Sequence, residues 1–161
     1  MPAQFLLNIT IALLWTLLMD EDAFYLSTFL TGYLIGIGIL FFMHRFFGTK
    51  FYMLRVYSTI KLVFIFTSEL AQSSLLIMKQ ILSPTLKIRP GIFTYEHNMN
   101  GPYELTTLAL LLTLTPGSVV MEVSPDGKTF YIHAMDVEES RDTILKSIKV
   151  FEKAIMEVTR G

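Results

Sequence analysis

Histidine is the residue type in this sequence that could bind a metal ion or transfer a proton near neutral pH. The chain has three histidines, His44, His97 and His133, and no cysteine. The histidines are far apart in the sequence, and none belongs to an HxxxH or HExxH pattern, in which two imidazoles share one face of a helix. The sequence therefore predicts no metal site, and the lack of cysteine excludes thiol nucleophiles, disulfide scaffolds and thiolate ligands.

A group of acidic residues precedes the last amphipathic segment. Its members are Asp136, Glu138, Glu139 and Asp142. They lack the alternating oxygen ligands and the central glycine of a calcium loop, and acidic side chains are favourable at any helix N-terminus. We interpret them as the start of a helix. The sequence also contains no GxSxG, P-loop or GxGxxG motif, so it predicts no enzyme and no cofactor.

The composition is more apolar than that of an average soluble domain. Hydrophobic residues make up 52% of the chain, and the mean hydropathy is +0.51. The formal net charge is -1, and the sequence has no Lys/Arg-rich run that could bind the phosphate backbone of a nucleic acid. We therefore expect no nucleic acid among the partners, and we expect the lipid bilayer to be one of them.

Two long runs without Asp, Glu, Lys or Arg occupy residues 1–19 and 23–43. A helix of ~20 apolar residues is long enough to cross a bilayer, so the runs predict a transmembrane hairpin. In the second run, Gly32 and Gly36 form a small-xxx-small pair that permits a neighbouring helix to approach closely. They are candidate subunit-interface residues, although glycine is also common in membrane helices without such a role.

A third run, residues 57–82, is amphipathic. Lys61, Glu69 and Gln72 belong to its polar face, and they are also candidate contacts with other subunits. Two alternatives remain open: the helix lies along the membrane interface with its apolar face in lipid, or it spans the bilayer with its polar face against partner subunits. Basic residues on both flanks favour the interfacial alternative.

The charged connections predict the orientation of the hairpin. The turn at residues 20–22 is acidic, whereas the segment 44–55 contains Arg45, Lys50 and Arg55. Lys and Arg near helix ends remain on the cytoplasmic side. We therefore expect a protein of the cytoplasmic membrane with the acidic turn outside and the C-terminal domain in the cytoplasm.

The sequence from residue 83 predicts a strand, a helix, two strands and a helix. Pro116-Gly117 ends the Leu-rich helix, and Asp126-Gly127 predicts the turn of a hairpin. The expected fold is a membrane α-helical hairpin plus an amphipathic helix, followed by a small α+β domain of order βαββα, an incomplete ferredoxin-like layout. The expected divisions are 1–56, 57–82 and 83–161.

Several segments resemble the E-type subunit of the multisubunit Mrp-type (Mnh/Mrp) Na+/H+ antiporters of bacteria. They are LKIRPGIF, LLTLTPGSVVMEVSPDGKTFYIHAMDV and FEKAIMEVTR, which follow the runs LLWTLLM and FLTGYLIG. The resemblance implies an accessory, non-catalytic membrane subunit that supports assembly and activity, with the other subunits as partners. It supplies no catalytic residues. Two alternatives remain open. A membrane-anchored ligand-binding or sensor module would be favoured by a deep pocket with convergent polar groups. A membrane-bound enzyme, the weaker of the two, would need a cluster of acid and base side chains with perturbed pKa values.

Overall fold

The computed structural model describes residues 2–19, 24–44, 51–84 and 88–160. The chain forms two compact units, Met1–Val56 and Tyr57–Gly161. The acidic turn at 20–22 and the basic residues Arg45 and Lys50, on which the predicted orientation depends, lie outside the described residues.

The first unit contains the two charge-free helices, α1 (Pro2–Leu18) and α2 (Leu26–Met43). The helices pack against each other around buried Ala12 and Leu40, while most of their large apolar side chains are exposed. Such an apolar exterior is typical of a surface covered by lipid or protein. The amphipathic helix α3 (Tyr52–Ile81) begins in this unit and continues into the second.

Among the described helices, α2 and α3 are long and apolar enough to cross a membrane, by length and composition alone. Helix α1 is apolar along its length but has 17 residues.

The second unit contains a three-stranded antiparallel sheet and two helices that follow its strands. In chain order these elements are β1 (Gly91–Glu96), α4 (Pro102–Leu114), β2 (Ser118–Val123), β3 (Thr129–Ala134) and α5 (Val137–Thr159). The strand order in the sheet is β1-β3-β2. The predicted order of strands and helices is confirmed, and β1 is an edge strand, as the Pro-Gly pair at its start suggests.

Alternation along the strands creates the core of the second unit. Phe93 on β1 and Phe130 and Ile132 on β3 point to one face of the sheet and are buried. Buried side chains from both helices complete this cluster: Leu108, Leu112, Ile148, Phe151 and Ile155. The Leu-rich segment is therefore a core helix, with Leu110 and Leu114 exposed on its other face.

Two turn glycines of the second unit have positive φ angles, +96° at Gly117 and +68° at Gly127. Gly117 lies between α4 and β2, and Gly127 lies in the turn that joins β2 to β3. The Gly127 N–H donates to the Ser124 carbonyl oxygen at 2.8 Å, which closes that turn. Positive φ is accessible to glycine at little cost, so both turns depend on this residue type.

Candidate functional site

The polar face of α3 contacts α5 within the second unit. Lys61 Nζ lies 2.7 Å from Glu157 Oε2, and Ser147 Oγ donates to Glu69 Oε2 at 2.5 Å. Leu62, Ile65 and Phe66 of α3 pack against the core of the same unit. This part of α3 is therefore integrated into the small domain.

Gln72, the third polar residue predicted to contact another subunit, is exposed and donates from Nε2 to Ser68 Oγ at 3.1 Å on its own helix. The structure thus brings Lys61 and Glu69 to α5 and leaves Gln72 on the surface. A role for any of the three at a subunit interface stays a prediction.

The pair between Lys61 and Glu157 is partly exposed, at 40% and 33% of the two side chains. The hydrogen bond from Lys61 lowers the pKa of Glu157. Because water screens an exposed pair, it contributes little to the stability of the fold.

The glycine pair of α2 faces α1. A Cβ on Gly32 would lie 2.7 Å from Trp15 Cβ, and one on Gly36 would lie 1.9 Å from Asn8 Oδ1. Asn8 is fully buried, and its Nδ2 donates to the Tyr52 hydroxyl at 2.7 Å. The small-xxx-small pair therefore serves helix packing inside this unit, and any contact with a second subunit stays a prediction.

An ion pair between the buried Glu104 and the exposed Arg160, which sequence reasoning missed, joins α4 to the end of α5. Glu104, in the first turn of α4, accepts from Arg160 Nη2 at 2.6 Å and Nε at 3.0 Å, and from Thr159 Oγ1 at 2.5 Å. Hydrogen bonds from Arg160 and then Thr159 lower the pKa of Glu104 to about 2. The sequence indicated only that the acidic Glu104 is favourable at the start of α4 and the basic Arg160 at the end of α5.

A second buried polar group lies around Glu152 of α5. Its carboxylate accepts from the Tyr95 hydroxyl at 3.1 Å and from the Asn98 N–H at 3.3 Å. Burial, and then the charge of Glu152, raise the pKa of Tyr95 to about 12. These contacts join the end of β1 and the segment that follows it to α5.

His97 belongs to the same segment. It is buried, its ring lies 4.7 Å from that of Phe130, and its Nδ1 accepts from the Met99 N–H at 3.2 Å. Burial lowers the pKa of His97, while Glu152 and the Gly127 backbone act in the opposite direction. In the parts of the chain that the structure describes, no three His, Asp or Glu side chains are grouped so that they could hold a metal ion.

One member of the acidic group at the start of α5 has a structural role. Asp136 is the N-cap residue, and its Oδ1 accepts from the Glu138 and Glu139 N–H groups at 3.2 and 3.3 Å. A side-chain oxygen in this position satisfies backbone donors that have no partner within the helix.

Apolar helices followed by a small α+β domain, whose ion pairs join its own helices, are typical of a membrane-associated protein, and the described residues form no recognisable catalytic centre. Comparison with known proteins identifies the family. Residues 8–158 match the model of the Na+/H+ ion antiporter subunit family, and the chain belongs to that family. The resemblance to the E-type subunit is confirmed.

The chain is similar to two bacterial relatives over nearly its whole length. It is 45% identical to the E-type subunit of the Na(+)/H(+) antiporter of Bacillus subtilis strain 168, across 99% of this chain and 100% of that protein. It is 41% identical to the putative antiporter subunit mnhE2 of Staphylococcus epidermidis strain RP62A, across 98% of this chain and 99% of that protein.

A solved structure shares the fold. It is a chain of the membrane-bound sulfane sulfur reductase, an archaeal respiratory membrane complex. The TM-score is 0.53 with 23% identity, and the match covers 94% of this chain and 96% of that chain.

Proposed function

We propose that this protein is an accessory, non-catalytic subunit of a multisubunit Na+/H+ antiporter, and that it supports assembly and activity of the complex. Its partners are the other antiporter subunits and the lipid bilayer. It is not an enzyme and needs no cofactor. The family and the relatives indicate that the complex carries out Na+/H+ antiport. The residues of this chain support an accessory role in that complex.

The observation that carries the proposal is the absence of ionisable residues of the acidic, basic or histidine type from α1 and α2. Proton movement through a membrane requires such groups in or beside the spanning helices. Helices without them anchor and pack but do not relay protons. Helix α3 does carry Lys61 and Glu69, and both bind residues of α5 in the same chain. Transport is then the task of other subunits.

The architecture suits an anchored subunit. In the proposal, α1 and α2 form a membrane hairpin, and the basic segment 44–55 keeps the following domain in the cytoplasm. The strand order β1-β3-β2, with β3 antiparallel to both neighbours, supports a ferredoxin-like layout that lacks its last strand. The Glu104–Arg160 pair joins α4 to the end of α5, so the domain can dock as one body.

A deletion and a point substitution test the proposal together. We expect deletion of the whole chain to reduce assembly or exchange activity, while Glu69→Gln in a complete complex retains substantial Na+/H+ exchange. The amide oxygen that this substitution introduces can still accept from Ser147, so the fold is preserved. Exchange is measured in everted membrane vesicles, and assembly by copurification of the other subunits with a tagged chain.

A Glu69→Gln complex that assembles at normal levels yet exchanges no cations would contradict the accessory role and make α3 part of the ion path. Full assembly and activity without this chain would also contradict it. Orientation is tested separately, because the chain lacks cysteine: an impermeant thiol reagent should label Glu21→Cys in intact cells and leave Asp126→Cys unlabelled.

A further inference from the structure

One face of α3 contacts the charged helix α5 of the same unit. The bonds Lys61–Glu157 and Glu69–Ser147 join it to α5, which carries exposed Lys149 and Lys153. A charged side chain at the centre of a bilayer is strongly unfavourable. If α3 spanned the hydrocarbon core, α5 would have to enter with it. The α3–α5 contact is therefore compatible with a surface position and opposes a spanning one.

The opposite face of α3 is apolar and exposed. Phe64 is 74% exposed and Tyr57 is 67% exposed. Other exposed apolar side chains share this face at helical spacing: Ile60, Val63, Leu75, Met78 and Ile81. A stripe of this length on a polar domain indicates a surface that is covered in the cell.

Lysines border the stripe. Lys61 and Lys79 are 18 residues apart, which is five helical turns, so they lie on the same edge of α3. Next to Lys61, a groove of about 340 Å³ between α3 and α5 is lined by Lys149, Lys153 and Glu157 and by the apolar side chains of Ile65 and Val150. Lys149 and Lys153 are exposed and form no salt bridge with another residue that the structure describes.

We propose that the apolar face of α3 and the exposed lysines near it, Lys79, Lys149 and Lys153, form a docking surface for an anionic lipid membrane. The apolar side chains enter the region between headgroups and acyl chains, and the ammonium groups contact lipid phosphates. The inference rests on the proposed function in one respect, the cytoplasmic location of the domain, because the cytoplasmic leaflet carries anionic lipids.

Chain length and charge both favour lipid as the occupant. Residues 44–51 separate α2 from α3 and can extend over about 30 Å at most, so the start of α3 remains near the membrane that α2 enters. The positive charge of the bordering lysines complements the negative charge of lipid phosphates. The exposed stripe, in contrast, offers few polar groups to a protein partner, with Thr67 as one of them.

Depth measurements on the full chain test the position of α3. Single cysteines replace Ile60, Ala71 and Met78 in turn, carry a bimane label, and are reconstituted in vesicles of phosphatidylcholine and phosphatidylglycerol at about 7:3, a composition as anionic as a cytoplasmic leaflet. Quenching by lipids brominated near the headgroup should be similar at all three positions and stronger than quenching by lipids brominated near the chain end. A label at Asp126→Cys should be quenched little.

Two results would overturn the surface position. Deep quenching at Ala71→Cys with shallow quenching at the other two sites means that α3 spans. No quenching at any site means that water or another protein covers the stripe. Neither result depends on the antiporter complex, so the accessory role is tested independently.

The lysine border is tested by Lys149→Ala/Lys153→Ala, with Lys128→Ala in the β2–β3 turn as the matched control. The docked fraction is read from the emission shift of a Phe64→Cys label. Each lysine near an anionic surface strengthens binding by ~5-fold. We expect the double variant to dock at least ~10-fold more weakly to the anionic vesicles and equally to pure phosphatidylcholine. An unchanged docked fraction would refute the role of the lysines.

Discussion

Arg160, at the end of α5, binds Glu104, in the first turn of α4, with the two nitrogen–oxygen distances at 2.6 and 3.0 Å. Glu104 also accepts from the Asn100 N–H at 3.1 Å, and Arg160 Nη2 donates to the Asn98 carbonyl oxygen at 3.3 Å. The pair therefore joins α4 to α5 and fixes the segment that leads from β1 into α4.

Replacing Glu104 by Gln should destabilise the second unit by about 1 to 3 kcal/mol, because charged hydrogen bonds to a buried carboxylate are lost. Urea unfolding of the full chain in detergent, with hydrogen exchange of α4 and α5 peptides, measures the change. Glu122→Gln, on the exposed side of β2, is the matched control and should have little effect. Equal midpoints for the two variants would show that the pair is not structural.

The same pair predicts an acid-dependent loss of stability. The folded-state pKa of Glu104 is about 2, below the ordinary value of 4.5, so the folded state binds fewer protons than the unfolded state. Its contribution is present above pH 4.5 and decreases as the pH falls from 4.5 towards 2. Unfolding free energies measured across this range should therefore fall less steeply in Glu104→Gln than in the parent chain, and parallel slopes would contradict the assignment.

His97 should make the stability of the fold depend on pH in a second range, at higher pH than Glu104. Burial lowers its pKa in the folded state, so protonation favours unfolding, and stability should decrease as the pH falls below 6.5. Protonation of Nδ1 would also remove the acceptor for the Met99 N–H. Glu152, Asp126 and the Gly127 backbone act against this shift and limit its size.

Asparagine at position 97 can accept from Met99 without titrating, so His97→Asn should flatten the slope of stability against pH between about 7 and 5. The free energy of unfolding at several pH values provides the measurement, with His133→Asn as the control. A slope that persists in His97→Asn would assign the effect to another group.

Gly36 should be far less tolerant of a side chain than Gly38. A Cβ at Gly36 meets Asn8 Oδ1 at 1.9 Å, whereas one at Gly38 meets nothing within 4 Å. We expect Gly36→Ala to lower the melting temperature of the chain in detergent and Gly38→Ala to leave it nearly unchanged. Adding Asn8→Ala should rescue part of the loss at Gly36, since the double variant removes the clashing atom. A lack of rescue would mean that another contact controls this position.

Gly117 has a φ angle of +96°, where a side chain is strained, and a Cβ there would also lie 3.3 Å from Ile77 Cδ1. Gly117→Ser should therefore cost about 1 to 2 kcal/mol. Gly101→Ser is the control, because Gly101 is extended, with φ of -163°, and serine is a favourable N-cap residue. Urea midpoints of the two variants provide the comparison, and a cost at Gly101 as large as that at Gly117 would contradict the explanation from φ.

The sequence by itself determined the features that depend on local pattern. The charge-free runs, the amphipathic period of α3, the order βαββα and the turns at Gly117 and Gly127 all follow from residues close together in the chain. Hydrophobic period and turn chemistry act over a few residues, so one sequence is enough to reveal them. The resemblance to the E-type antiporter subunit also came from contiguous segments.

Only the tertiary structure decided which distant residues meet. Glu69 and Ser147 are 78 residues apart, and Glu104 and Arg160 are 56 apart. A helical pattern shows which face of α3 is polar, but it cannot show that α5 receives that face or that Asn8 occupies the space above Gly36. Such pairings depend on how whole elements pack, because many partners are equally compatible with the local pattern of each segment.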